Sequence, residues 1–167
     1  MLRDGIGAVA LAVLITALPV PGLADPESEV VSSGEIAKAL ERPPTRGIGV
    51  RARTEVSLNV PFELNSSELA PGAVSQLAQL ETALKTAGLS GYRFEVGGHT
   101  DASGSAEHNR QLSQRRADTV RRFLIERGID ADRLVAVGYG EDRLLYPRQP
   151  RHPQNRRVEI RNLGERP

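Results

Sequence analysis

Hydrophobic periodicity divides the chain from residue 50 onward into six elements. Residues 50–60 alternate apolar with polar side chains, which is the period of a half-buried strand. Further strands are predicted at 92–96, 134–137 and 157–163, and helices at about 71–88 and 106–127. The predicted core face of the first helix consists of Val74, Leu77, Leu80 and Leu84. The order β-α-β-α-β-β predicts an α+β fold in which two long helices pack on a mixed sheet.

The first residues have the pattern of an export signal. An apolar run at 6–18 follows Arg3, and Gly22 and Ala24 are small residues of the kind that signal peptidase reads. We therefore predict a signal peptide at residues 1–24. The run is shorter than the roughly 20 residues that span a bilayer, although an uncleaved membrane anchor is left open. Either way, the mature chain is expected outside the cytoplasm, in the periplasm, without a membrane span of its own.

The remaining chain is divided by composition into a tether and one domain. Residues 25–49 mix acids, prolines and small polar side chains, so we predict a flexible tether. The pattern allows a short helix at 34–40, which Pro43 and Pro44 would end. Residues 50–167 are then long enough for one ordinary domain.

Composition excludes several classes of function. The chain has no cysteine, which rules out disulfides, thiolate metal sites and a lipid attached through cysteine. Its formal net charge is +1 and only 4% of its residues are aromatic. A nucleic-acid-binding protein more often has a concentrated basic face with aromatic side chains for stacking, so no nucleic-acid partner is predicted.

Arg116 occupies a position on the second long helix where an apolar residue is expected. At about 100° per residue, it falls within a stripe formed by Leu112, Val120 and Phe123. A guanidinium that faces the core needs a carboxylate or hydrogen-bond acceptors, because its burial without a partner is costly. Asp101, on the glycine-rich loop that leads into this helix, is the natural candidate to lie close to it.

Two interpretations of this pair remain open on spacing alone. An arginine and an aspartate at one edge of the fold complement a zwitterion, since arginine holds a carboxylate and aspartate an ammonium. The same two residues could equally form a structural salt bridge between the loop and the helix, as most ion pairs at the ends of elements do.

Several short motifs resemble, in their order, the signature of the OmpA-like domain family. They are 98–101 (GHTD), Gly104, 109–117 (NRQLSQRRA), Val120, 138–141 (GYGE) and 155–160 (NRRVEI), preceded by Phe62 and 65–69 (NSSEL). The resemblance covers roughly residues 50–163 and depends on the ordered set, since each fragment alone is weak. Residues 142–147 and 150–153 depart from the family pattern, so the loop 142–153 is expected to alter access to the pocket or to contact a partner.

The resemblance implies a binding function without catalysis or a cofactor. Members of the family hold the diaminopimelate of the peptidoglycan stem peptide non-covalently. By this resemblance, Asp101 and Arg116 correspond to the positions that hold the head group. The positions predicted to line or support the pocket are Thr100, Asn109 and Leu112, and those predicted to form a further basic corner are Asn155 and Arg156. Peptidoglycan is therefore the expected partner, with other envelope proteins and the outer membrane left open.

The residues also invite comparison with a hydrolase, a zinc site and an assembly module. His99, Asp101 and Ser103 lack the nucleophile elbow and oxyanion donors of a hydrolase. His99, Asp101 and His108 are acceptable zinc ligands but lack a ligand spacing typical of zinc sites, so no metal is predicted. The alternative to wall binding is an envelope assembly module, of the secretion-system or motor type, that acts through protein–protein contacts.

Overall fold

Three helices and four strands form the described part of the chain. The computed structural model describes residues 30–41 and 54–166. The helices are α1 (Ser33–Leu40), α2 (Ala73–Leu84) and α3 (Ala106–Glu126), and the strands are β1 (Glu55–Leu58), β2 (Tyr92–His99), β3 (Leu134–Gly140) and β4 (Val158–Glu165). From β1 onward, the order β-α-β-α-β-β confirms the predicted fold class. The predicted signal peptide, at residues 1–24, lies outside the described residues, and no described helix is long and apolar enough to cross a membrane.

The four strands form one mixed sheet in the order β1-β4-β2-β3. β4 pairs antiparallel with both β1 and β2, whereas β2 and β3 run parallel and are joined through α3. Alternate side chains such as Phe94 and Val96 are fully buried among the helices. On the opposite face, Arg161 makes ion pairs with Glu95 and Glu159. The sheet therefore has one apolar face under the helices and one charged face.

Two glycines let α3 approach the sheet closely. A Cβ atom on Gly98 of β2 would lie 2.2 Å from the carbonyl oxygen of Ser113, and one on Gly138 of β3 would lie 2.3 Å from the nitrogen of Gln114. No side chain fits at such distances, so glycine is required at both places. This close packing fixes the position of α3 relative to the sheet, and therefore the positions of its side chains near the sheet edge.

Side chains of α3 also cover the free edge of β3. The Gln114 amide accepts from the Gly138 N–H (2.7 Å) and donates to the Ala136 carbonyl (3.3 Å). Arg121 donates to the Leu134 carbonyl (2.9 Å). An open strand edge can pair with a strand of another chain. These side-chain contacts occupy backbone groups of β3 and so protect its edge from such pairing.

α1 lies within residues 25–49, for which the sequence predicted a flexible tether that allows a short helix at 34–40. Its Ser32 cap and Glu35 form a capping box, and its Ile36 and Leu40 are fully buried in the core. The Gln76 side chain on α2 exchanges two hydrogen bonds with the backbone of Val31 (2.9 and 3.1 Å). The stretch 33–40 therefore belongs to the domain, because its apolar face completes the core beside α2.

The predicted core face of α2 is correct except at its first residue. Leu77, Leu80 and Leu84 are buried, but Val74 is 48% exposed. Gln76 takes the inward position instead, because its amide is used to hold the segment before α1. The helix also ends at Leu84 rather than near the predicted Gly88.

Arg133 is a buried cation that sequence patterns did not indicate. Its guanidinium donates to the carbonyls of Tyr92 (3.0 Å), Leu84 (3.0 Å) and Leu89 (2.8 Å). These carbonyls belong to the end of α2 and the segment that enters β2. Arg133 thus satisfies acceptors that would otherwise be buried without a donor.

Candidate functional site: an arginine-lined groove

A groove of about 670 Å³ lies where β1 and β4 separate beyond their last paired residues. One wall continues β1 through residues 57–62. The other residues that line it are Pro153, Gln154, Arg156 and Arg157, together with His99, Arg116 and Leu145. Among these lining residues, three carry a guanidinium and none carries a carboxylate. The groove is therefore suited to an anionic group.

Asp101 lies beside the groove on the loop between β2 and α3. Its side chain is 9% exposed, one oxygen accepts from the Ser103 N–H (3.0 Å), and the other pairs with Arg156 Nη1 (2.5 Å). The Asn109 amide donates to the Asp101 backbone carbonyl (3.2 Å) and thereby ties this loop to α3. Burial would raise the pKa of Asp101, but the hydrogen bonds from Arg156 and Ser103 hold it below its ordinary value. Asp101 is a carboxylate at neutral pH.

Arg116 reaches the groove from the buried side of α3. Its Nε donates to the Ser66 carbonyl (2.9 Å) and its guanidinium lies 4.9 Å from the centre of the Phe62 ring. Arg116 makes no direct ion pair with Asp101; among the described residues the ion pair of Asp101 is with Arg156. Arg156 approaches from the segment before β4 and is half-exposed.

The two arginines and the aspartate nevertheless act on one another. Burial lowers the pKa of Arg116, the positive charge of Arg156 lowers it further, and the carboxylate of Asp101 opposes both. Arg116 remains a cation at neutral pH because an arginine side chain is protonated throughout the physiological range. One acid and two bases thus converge at one end of the groove.

The other predicted pocket residues lie behind this cluster rather than in the lining. Thr100, Asn109 and Leu112 are all at most 5% exposed. The Asn109 amide also donates to Glu141 (2.6 Å), and the Thr100 N–H donates to the Gly140 carbonyl (2.9 Å). These contacts hold the Asp101 loop against the end of β3. Their geometry suits support of the site from behind.

The structure corrects the role predicted for Asn155. Its side chain is fully buried, so it does not reach the groove. The amide accepts from the Tyr146 N–H (2.9 Å) and donates to the carbonyls of Gln149 and Pro150 (3.1 Å each). Asn155 therefore holds the loop 142–153 in place, while its neighbour Arg156 alone forms the predicted basic corner.

His99 lies at the buried end of the groove and is 1% exposed. Its ring stacks on Tyr139 at 5.2 Å between centroids, as expected of a histidine packed at a strand end. Burial and the nearby Arg157 lower the pKa of His99 to about 4, which Glu159 offsets only in part. The imidazole is neutral at pH 7.

Arg157 also lies at this end of the groove and was not singled out from the sequence as a site residue. Its side chain is 8% exposed and pairs with Glu159 (3.1 Å). The signal that could have found it is its place between Arg156 and the first residue of β4, where the chain enters the sheet beside the groove. No group of three or more His, Cys, Asp or Glu within the described residues is placed to hold a metal ion.

Comparison with known proteins relates the chain to proteins of the bacterial envelope. It is 38% identical over 102 residues to the peptidoglycan-associated lipoprotein of Pseudomonas aeruginosa, a match that covers 60% of this chain and 59% of that protein. The chain thus matches less than two thirds of that relative's length. Over 161 residues it is 34% identical to the peptidoglycan-associated lipoprotein of Legionella pneumophila, covering 91% of this chain and 90% of that one.

A solved structure and a family model relate the chain to the same group of envelope proteins. The cell wall anchor of the T6SS from Pseudomonas aeruginosa superposes with a TM-score of 0.54 at 26% identity, over 66% of this chain and 81% of that chain. The model of the OmpA family matches residues 61–157. This range includes the Asp101 loop and every residue that lines the groove except residues 57–60. On this match, the chain belongs to the OmpA family.

Proposed function

We propose that the chain binds peptidoglycan non-covalently, by holding the diaminopimelate of the stem peptide beside Asp101. Two relatives are by name associated with peptidoglycan and one is a cell wall anchor. The proposed place of action is the periplasm at the cell wall, reached through the predicted signal peptide at residues 1–24. The proposal involves no catalytic step and no cofactor.

The observation that carries the proposal is the convergence of Asp101, Arg156 and Arg116 at the groove. Diaminopimelate ends in a zwitterion, which needs an acceptor for its ammonium and a donor pair for its carboxylate. Asp101 is ionised and Arg116 is a cation, so both complementary charges lie at one end of the same groove. Charge-assisted hydrogen bonds of this kind are stronger than neutral ones.

Arg116 is well oriented for the carboxylate. Its Nε donates a hydrogen bond to the Ser66 carbonyl, and its guanidinium packs over the Phe62 ring. These two contacts fix the orientation of the guanidinium. Its terminal nitrogens make no hydrogen bond to any described residue. A donor held in this way loses little conformational freedom on binding, which favours affinity.

Arg156 acts as an exchangeable counterion in this proposal. Without ligand it neutralises Asp101, and its side chain is 50% exposed, so it can move at low cost. When an ammonium takes its place on Asp101, Arg156 becomes available to the ligand carboxylate beside Arg116. Thr100, Asn109 and Leu112 support the Asp101 loop from behind, and the proposal gives them no direct charge contact.

Sedimentation with insoluble peptidoglycan sacculi tests the proposal. The protein should pellet with sacculi, and free diaminopimelate should release it. Asp101→Asn and Arg116→Gln should each weaken binding by about 2 kcal/mol or more. The reason is that the ammonium or the carboxylate of the ligand then lacks its charged partner on the protein. Asp118→Asn and Arg115→Gln are matched controls, since they make the same charge changes at exposed positions of α3.

The outcome separates a binding site from a structural ion pair. Circular dichroism should show that all four variants are folded. If Asp101→Asn and Arg116→Gln are folded and pellet as well as the wild type, the zwitterion site does not exist and the proposal is refuted.

A rigid exposed loop favours one second candidate, an envelope assembly module. Leu145 and Tyr146 are 48% and 38% exposed, and Asn155 holds the backbone beside them. Tyr146 also packs on His152, 4.4 Å between ring centroids. If Leu145→Ser with Tyr146→Ser abolishes complex formation in the envelope while sacculus binding is absent in the wild type, protein–protein assembly is the function.

A further inference from the structure

We propose that the end of the groove lined by Arg157, His99 and Ser57 is a second subsite that takes an additional carboxylate of the ligand. The inference rests on the proposed function, because it concerns the ligand whose zwitterionic end lies at Asp101. It extends that function from recognition of one head group to recognition of a molecule with a further negative charge.

Arg157 has a hydrogen-bond donor that the protein leaves unused. Its Nη2 donates to Glu159 (3.1 Å) and to the Arg143 carbonyl (3.2 Å), and its Nη1 lies 3.5 Å from the Asn155 carbonyl. Its Nε is buried and has no acceptor among the described residues. A buried guanidinium N–H without a partner is costly and calls for an acceptor from elsewhere. Other atoms of this side chain line the groove, so a small movement of the guanidinium would let a ligand supply that acceptor.

His99 adds a second unsatisfied group at the same end. Both ring nitrogens are buried and neither makes a hydrogen bond of ordinary geometry to a described residue, although the Arg143 backbone lies close enough to raise the pKa of His99 slightly. The nearest carboxylate oxygen, on Glu159, is 3.7 Å from Nε2, which is longer than a hydrogen bond. A neutral imidazole can donate one N–H, as can the hydroxyl of Ser57 on the opposite wall. A carboxylate is the ligand group that accepts several such hydrogen bonds at once.

The charges around the groove point to the same chemistry. Arg116, Arg156 and Arg157 line it, whereas their acidic partners lie outside the lining. Asp101 neutralises Arg156, and Glu159 is shared between Arg157 and Arg161 (2.9 Å). Arg157 thus shares its one carboxylate with Arg161, so its positive charge is only partly compensated and can attract a second anion of the ligand.

The size of the groove allows this second contact. Its volume of about 670 Å³ exceeds what a single head group fills and lies in the range of pockets that hold whole small molecules. Diaminopimelate carries a second carboxylate at the far end of an aliphatic chain, and the peptide attached to it carries others. The shared chemistry is a second carboxylate on the same molecule, and the test distinguishes its possible sources.

Calorimetry with short stem-peptide fragments tests the subsite. The ligands are a diaminopimelate-containing tripeptide with its carboxylates free, and two derivatives in which either the far diaminopimelate carboxylate or the neighbouring glutamate carboxylate is amidated. One of the two amidations should lower wild-type affinity by about tenfold or more, as expected for a hydrogen bond to a charged group. The derivative that loses affinity identifies the source of the carboxylate.

Arg157→Gln and Arg161→Gln form a matched pair of variants. Each removes one cation that is paired with Glu159, but only Arg157 lines the groove. The effect of amidation should disappear in Arg157→Gln and persist in Arg161→Gln. If neither amidation weakens binding to the wild type, or if the effect persists in a folded Arg157→Gln, the subsite is refuted.

A measurement on the wild type covers the case in which Arg157→Gln does not fold. The Nε–H resonance of Arg157 in NMR spectra should move downfield with the free ligand and stay in place with the sensitive amidated derivative. An unchanged resonance with both ligands overturns the inference. Failure of this subsite leaves binding that depends on Asp101 intact, whereas a wild type that binds none of the ligands refutes both proposals.

Discussion

Acidification should destabilise the folded domain between about pH 6.5 and pH 4, because buried His99 resists protonation. In the unfolded chain this imidazole titrates near its ordinary pKa of 6.5, whereas burial and the nearby Arg157 lower the pKa to about 4 in the folded domain. Between these values the unfolded state binds one more proton than the folded state. Stability is therefore fully present above pH 6.5 and is lost as the pH falls toward 4.

The size of the effect follows from the two pKa values of His99. They differ by about 2.5, and one pKa unit corresponds to about 1.4 kcal/mol, so the full loss is about 3 kcal/mol. Between pH 7 and pH 5 the expected loss is about 2 kcal/mol. Asp101 and Glu159 have lowered pKa values and contribute in the same direction, but only as the pH falls below the ordinary carboxylate range.

Urea unfolding at pH 7, 6 and 5 measures this loss. His99→Gln removes the titrating group, so its free energy of unfolding should change little over this interval, whatever its absolute value. His108→Gln makes the same substitution at an exposed position and should keep the slope of the wild type. The reasoning is refuted if the wild type is equally stable at pH 7 and pH 5, or if folded His99→Gln keeps the full slope.

Two further predictions concern polar groups that hold the fold together. Arg133→Met should lower the free energy of unfolding by about 3 kcal/mol, because three backbone carbonyls lose their buried donor. Exposed Arg122→Met is the control in urea unfolding, and an equal effect of the two would contradict the assignment. Asn155→Ala should speed amide exchange at Tyr146, whose N–H loses its acceptor, with exposed Asn59→Ala as the control. Unchanged exchange would show that the loop is held by other contacts.

The order of the elements could be predicted from the sequence because it depends on local periodicity. Alternation along β1 and the spacing of apolar residues on α3 are visible in neighbouring residues, and the helix end predicted at Arg127 lies one residue beyond the observed end at Glu126. The same periodicity indicated that Arg116 lies on the buried side of its helix. The predicted core face of α2 was wrong at Val74, because Gln76 turns inward instead and holds the segment before α1.

The composition of the site was decided only by the tertiary structure. Asp101 pairs with Arg156, 55 positions away, because pairing of β4 with β2 brings the two segments together. Spacing along one helix can show that Arg116 faces inward, but it cannot show which of two arginines reaches a carboxylate first. The meeting of His99 and Arg157 in one groove likewise depends on where β1 and β4 separate. Periodicity is a property of neighbours in the chain, whereas an ion pair depends on distances that only the packed sheet determines.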